Sequence, residues 1–250
     1  MLRDFSKENF DIIIQAGQSN SEGCGQGDVE KPYSANENIW YLNNDFSISV
    51  AQERIWGNSI VGDYSLSFAR EYADSGKLQS GRKVLIVRSA VGGTGFLDGH
   101  WKPNDDLCLR MMEMIRTALD INSGNKLVAF LWHQGETDAS LNAGHKTHYN
   151  NLSTLINNVR KAYKCENLPF IAGDFVHHWK YENMQICEPV INAIKAVCSD
   201  IGNSMFVETT GLQSNDQKIG NQDTIHFCRE ALYQLGVKYF KAYEGLTPAE

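Results

Sequence analysis

Short apolar runs rich in β-branched residues alternate along this chain with longer stretches of helical periodicity, and this alternation most constrains the fold. The runs fall at 11–16, 83–89, 127–133, 169–173 and 204–208. The helical stretches fall at 64–74, 106–121, 146–163, 184–199 and 229–243. Runs that are apolar throughout mark strands buried on both faces, and strands separated by helices run parallel. The expected architecture is a three-layer α/β/α sandwich around a central parallel sheet of about five strands, flavodoxin-like in outline. In the last helical stretch Ala231, Leu232, Leu235, Tyr239 and Phe240 share one face, and Gly245 followed by Pro248 marks its end and a short tail.

No repeat or linker divides the 250 residues, so one domain spanning 1–250 is expected. The main irregularity is 22–59, which holds Asn36, Asn38, Asn43 and Asn44 beside Trp40, Tyr41 and Trp56. Loops this long inside a compact domain tend to be functional. A net charge of −7 without any basic run argues against nucleic acid or an anionic membrane as partner. No apolar stretch approaches bilayer-spanning length, and the start, Met1-Leu2-Arg3-Asp4-Phe5-Ser6-Lys7-Glu8, has no signal-peptide pattern. Six cysteines without a Cys-x-x-Cys pair read as free, mostly buried thiols in a reducing compartment, so a cytoplasmic location is expected. Cys24 lies close to Ser19 in sequence and could line the same pocket, although a small buried hydrophobe is the commoner role.

The chemistry gathers at the carboxyl ends of the runs. The first run stops at Gly17 and is followed at once by Gln18-Ser19-Asn20, which offers a hydroxyl on a sharp turn at the rim of the sheet. The bland alternative is a serine that caps the next helix or turn. Ser89-Ala90-Val91-Gly92-Gly93-Thr94-Gly95 follows the second run, and His133-Gln134-Gly135-Glu136 closes the third. Asp223-Thr224-Ile225-His226 precedes the final helix. If the sheet is parallel, all four segments face one rim. Acyl transfer by a serine needs a base, a group orienting that base, and donors for an oxyanion. His226 suits the base, and Asp223, three residues upstream, suits its orienting partner. The alternative for this pair is an N-cap aspartate beside a surface histidine. Gly93 offers an unobstructed backbone N–H and Gln134 a side-chain amide, beside the Ser19 amide itself. Their alternatives are a plain turn and a capped strand end.

In this order, Gly17-Gln18-Ser19-Asn20, Gly92-Gly93-Thr94, His133-Gln134-Gly135-Glu136 and Asp223-Thr224-Ile225-His226 resemble the SGNH-hydrolase superfamily. The nearer likeness is to its carbohydrate O-acetylesterase branch, with sialate O-acetylesterase-like and acetylxylan esterase-like proteins. The resemblance spans nearly the whole chain. It implies a serine esterase that removes acetyl groups from acetylated xylo-oligosaccharides or acetylated sialic acids through an acetyl-enzyme, with no metal or organic cofactor. It implies Ser19 as nucleophile, Asp223 and His226 as acid and base, and Ser19, Gly93 and Gln134 as the oxyanion hole, with Gly92 the alternative to Gly93. Glu136 stands as an alternative triad acid or a support for the site. Gln18, Asn20 and Trp101 are expected to line the substrate pocket. The expected partner is a small acetylated sugar, not a nucleic acid or membrane.

Other readings of the same chain are a lipid or thioester hydrolase of this fold and a carbohydrate-binding protein without turnover. The lack of an apolar lid-like segment weighs against the first, and the joint presence of serine, aspartate and histidine against the second. Gly23-Cys24-Gly25-Gln26-Gly27 lacks the Lys-Ser/Thr of a phosphate loop. His145, His148, His177 and His178 lack a third ligand at metal spacing. Trp56, Trp101 and Trp179 are the candidate sugar platforms, Trp101 foremost because it follows the glycine segment.

Overall fold

The computed structural model describes residues 4–247. Among these, the strands are β1 (Asn9–Gly17), β2 (Ile39–Leu42), β3 (Ile48–Val50), β4 (Arg54–Trp56), β5 (Ser59–Val61), β6 (Arg82–Arg88), β7 (Lys126–His133), β8 (Phe170–Gly173) and β9 (Ser204–Val207). The helices are α1 (Ser19–Glu22), α2 (Tyr64–Asp74), α3 (Asp106–Asp120), α4 (Glu136–Ser140), α5 (His145–Ala162), α6 (His177–Glu182), α7 (Met184–Asp200), α8 (Asn215–Ile219) and α9 (Arg229–Leu246). One sheet runs β3-β2-β6-β1-β7-β8-β9, parallel throughout except for the antiparallel edge pair β2–β3.

The α/β sandwich is as expected, but the sheet has seven strands where about five were anticipated. The extra two, β2 and β3, come from the stretch read as irregular, and β4 and β5 form a separate antiparallel hairpin. All four residues of β2 are buried, so the strand shows no alternation, and asparagines on either side look like turn signals. Its pairing with β6, from Ile39 on Val84 to Leu42 on Val87, spans some forty residues of sequence and has no local signature. α2 begins where expected because Asp63 accepts from the N–H groups of Ser65 (2.8 Å) and Leu66 (3.3 Å). α9 continues through Gly245 to Leu246, and the tail at Pro248 lies outside the described residues, as do residues 1–3.

The sheet separates two apolar layers. Phe10, Ile12, Ile14 and Ala16 of β1 pack with α3, α5 and α7, whereas Ile13 packs with α2 and α9. Asp11, buried on that second face, is neutralised by Arg82 (2.6 Å) and accepts from the Tyr72 hydroxyl (2.6 Å). β1 ends at Gly17 with φ of 125°, a backbone region open to glycine. A Cβ there would overlap the His133 carbonyl oxygen and come within 2.7 Å of its carbon. Glycine thus lets the ends of β1 and β7 stay close enough for Gln18 N–H to donate to His133 O at 2.9 Å. We expect Gly17→Ala to cost about 2–5 kcal/mol, from the strained φ and the overlap together. Denaturant unfolding measures this, and an unchanged midpoint would contradict it.

Candidate active site

β1, β6 and β7 end level with one another, with Gln15 opposite Arg88 and Gly17 opposite His133. The segments leaving them therefore meet at one rim. Ser19 is the first residue of α1, and Gln18 takes the cap position. The Ser19 hydroxyl does not cap the helix; its Oγ lies 2.9 Å from His226 Nε2. His226 Nδ1 lies 2.8 and 2.9 Å from the two carboxylate oxygens of Asp223. Asp223 is likewise no helix cap, since α9 starts at Arg229 with Cys228 before it. The structure joins Ser19, His226 and Asp223 into one hydrogen-bonded chain.

Asn215 extends that chain, and the sequence reading missed it. Its Nδ2 donates to Asp223 Oδ2 at 2.9 Å, and its Oδ1 accepts from Gln26 N–H at 2.8 Å. The local signal was there: Ser214 and Gln217 form a reciprocal capping box, which starts α8 and sets Asn215 as its first residue. Asn20 differs from expectation. It is fully buried and does not line the cavity, because both ends of its amide are used. Nδ2 donates to Glu136 Oε1 (2.8 Å) and Ile225 O (3.0 Å), and Oδ1 accepts from Phe227 N–H (3.0 Å). Asn20 thus brackets His226 through the backbone on either side of it. Glu136 orients Asn20 and makes no hydrogen bond to His226, whose Nδ1 belongs to Asp223. Of the two carboxylates, Asp223 is the one within hydrogen-bond distance of the imidazole.

The electrostatics follow the burial. Desolvation opposes charge on His226, but its hydrogen bonds to Asp223 and its contact with Cys24 prevail and raise it above its ordinary 6.5. Burial works against the Asp223 carboxylate too, yet hydrogen bonds from His226 and Asn215 hold it below 3.8. The pair therefore adds stability that is full below pH 6.5 and is lost as pH rises through the raised histidine value. On the acid side, the aspartate's share is lost as pH falls below 3.8. Glu136, fully buried with one partner at Asn20, is pushed up by desolvation. His133, buried against Tyr239, is held at about 3 by burial and stays neutral.

Ser19 and His226 line a cavity of about 870 Å³, together with Gln18, Gly92, Gly93 and Cys24. Gln18 and Cys24 are thus at the pocket; Cys24 Sγ lies 3.4 Å from Ser19 O, and burial pushes its thiol up. Gly92 N–H donates to Glu22 Oε2 at 2.8 Å and is committed. Gly93, at φ of 71°, has no acceptor for its N–H among the described residues, and neither has Ser19. Of the two glycines, only Gly93 has its N–H free toward the cavity. Gln134 departs from expectation: only 1% exposed, its Nε2 donates to Asp138 Oδ2 (2.9 Å) and lies 3.4 Å from Thr94 O. Its amide braces the glycine turn and is not among the cavity-lining groups. Asp138 also accepts from the N–H groups of Phe96 (3.1 Å) and Leu97 (2.8 Å), pinning that turn to α4.

Trp101 also departs from expectation. It is fully buried, edge-on to Trp132 at 5.2 Å, and its Nε1 donates to Thr94 Oγ1 at 2.9 Å. It supports the glycine turn from inside the core and cannot touch a ligand. Trp56, on the β4–β5 hairpin, is 59% exposed and lines the cavity in its place. Trp179 packs on Phe175. Of the histidines, His148 is buried 3.3 Å from Asp138, His145 stacks on Tyr149, and His178 meets Ser214 Oγ at 3.0 Å. Asp174, His177 and Glu208 hold ligand atoms within 4.8 Å of one another, but the Lys180 ammonium already sits on Asp174 where a cation would bind.

A family model for carbohydrate esterase, sialic acid-specific acetylesterase, matches residues 9–245. The chain belongs to this family. It is a carboxylic ester hydrolase. A probable carbohydrate esterase of Arabidopsis thaliana is 26% identical to this esterase over 254 residues, covering 93% of this chain and 89% of that one. The X-ray structure of an Arabidopsis thaliana protein shares its fold with a TM-score of 0.76 at 22% identity, covering 95% of this chain and 98% of the other. NanS does so with a TM-score of 0.77 at 17% identity, covering 96% and 98%. Among the described residues, no helix of this esterase is long and apolar enough to cross a membrane.

Proposed function

We propose that this esterase removes O-acetyl groups from small carbohydrates through an acetyl-enzyme on Ser19. The observation that carries the reading is the unbroken chain from Ser19 Oγ through His226 to Asp223, open to a sugar-sized cavity. His226 takes the hydroxyl proton as Oγ attacks the acetyl carbonyl carbon. The oxyanion accepts from the Ser19 and Gly93 N–H groups. The bond to the sugar oxygen then breaks, and that oxygen takes the proton from His226. Water attacks the acetyl-enzyme by the same route in reverse, returning the proton to Ser19 and releasing acetate. Asp223 holds the ring so that Nε2 faces Ser19. Acetylated xylo-oligosaccharides and acetylated sialic acids are the substrates the family suggests, and six free thiols support a cytoplasmic setting.

The experiment is acetate release from acetylated sugars, with rapid quenching and mass spectrometry of the peptide carrying Ser19. An acetyl group on Ser19 is the expected result; turnover with no modification on that peptide would contradict it. The pH profile is a second check. Only neutral imidazole accepts the proton, so kcat/KM should rise with pH through a midpoint above 6.5, the direction in which Asp223 shifts His226. A midpoint below 6.5 would contradict this assignment of His226 and Asp223.

A further inference from the structure

We infer that Glu22 positions the oxyanion hole, and that Arg54 keeps the Glu22 carboxylate from opposing the charge that forms there; this rests on the acyl-transfer reading of Ser19 above. The Ser19 and Gly93 N–H groups come from separate segments, α1 and the turn that follows β6. Two adjacent glycines, Gly92 and Gly93, make that turn pliable. It is anchored where it starts, by Val91 N–H on Gly17 O at 3.1 Å, and at Thr94, by the Trp101 indole at 2.9 Å. Between those anchors Glu22 Oε2 accepts from Gly92 N–H at 2.8 Å. That bond fixes the peptide plane next to the one that carries the Gly93 N–H. Glu22 is well placed to do so, because it ends the one-turn helix that Ser19 begins. Its own N–H donates to Gln18 O at 2.8 Å, and its carbonyl accepts from Arg88 Nη2 at 3.0 Å. The carboxylate therefore ties the helix of the nucleophile to the turn of the donor.

Left bare, the same carboxylate would work against turnover. A Cβ on Gly92 would lie 3.2 Å from Glu22 Oε2 and 3.4 Å from Ser19 Cβ, so the carboxylate and Ser19 share the space over one glycine. A negative charge so close opposes the oxyanion of both tetrahedral intermediates. Arg54 offsets it: Nη1 lies 3.1 Å from Glu22 Oε1, and Nη2 donates to Gly23 O at 2.6 Å. Arg54 is also the first residue of β4, the strand that carries Ile55 and Trp56 to the cavity wall. The hairpin thus reaches the oxyanion hole through Arg54, Glu22 and Gly92 in turn. With 36% of the Arg54 side chain and 32% of the Glu22 side chain exposed, water screens part of the pair. Its effect belongs on turnover more than on stability.

The test is rapid mixing with 4-nitrophenyl acetate, where the burst of 4-nitrophenolate reads acylation of Ser19 and the following steady rate reads deacylation. The acetyl-enzyme holds only the acetyl group, so its hydrolysis reports on the hole with no leaving group against the hairpin. Glu22→Ala should slow both steps about 10–100-fold and leave KM within about threefold of wild type. Arg54→Met should slow deacylation about tenfold. Adding Glu22→Gln to Arg54→Met should restore most of that loss, because an uncharged acceptor still holds the Gly92 N–H. A fold damaged by the loss of Arg54 would not be regained by a second substitution, so this arm separates positioning from misfolding. Native deacylation in both single variants, or a double variant no faster than Arg54→Met, would overturn the inference, and with an inactive Ser19→Ala it would fall alone. If Ser19→Ala turns over the ester like wild type, the reading of Ser19 and the inference fall together.

Discussion

Ser19→Ala is expected to lower kcat by about 10⁴–10⁶-fold while leaving the fold intact. The hydroxyl is bonded to His226 and packs against nothing that its loss would collapse, so denaturant stability should change by less than about 1 kcal/mol. Without Oγ no acetyl-enzyme can form, and what remains is the cavity and the oxyanion donors acting on water. His226→Ala should cost nearly as much, and the double variant little more than either alone, because the two residues act as one unit. Acetate release measured on all three variants checks this. A folded Ser19→Ala enzyme with near-native turnover would remove the nucleophile from the account.

Asp223→Asn and Glu136→Gln should separate by at least about a hundredfold, although both exchange a carboxylate for its amide. Asp223 receives His226 Nδ1–H on one side and the Asn215 amide at 2.9 Å on the other. An asparagine has a single acceptor oxygen for these two donors. If that oxygen faces Asn215, its NH₂ faces His226 and forces the wrong tautomer; if it faces His226, two NH₂ groups collide. The expected loss in kcat is about 10³–10⁴-fold. Glu136 needs only to accept from Asn20 Nδ2, which glutamine also does, and burial already pushes its carboxyl toward the neutral form. Its loss should stay within about tenfold. The reverse order of effects would make Glu136 the acid.

Much of this was legible because it is local. A helix such as α2 is written in its period and in Asp63 at its cap, and the end of β1 in a run of isoleucines stopping at a glycine. Ser19, Gly93, Asp223 and His226 each occupy a strand end or a loop just before a helix. In a parallel sheet such positions meet at one rim whatever the intervening chain does. The hairpin too had a signal that went unused: Gly57-Asn58 between two apolar pairs is a two-residue turn. It was lost among the asparagines of a stretch that also contains β2, where burial on both faces erases alternation.

Which way a side chain points at the rim was not local. Gln134 and Trp101 lie in the right segments, yet one amide is drawn to Asp138 and the other ring to Trp132, partners supplied by packing across the layers. Asn20 sits beside the serine but turns inward to Glu136, more than a hundred residues away. Trp56 reaches the pocket because its hairpin is tied beside α1, where Arg54 bonds Glu22 and the Gly23 carbonyl. The order of motifs along the chain was enough to expect Ser19, Asp223 and His226 together at one rim, since strand ends converge by topology. The lining of the pocket was settled by long-range contacts that compete for each buried polar group, and these exist only once the layers have packed.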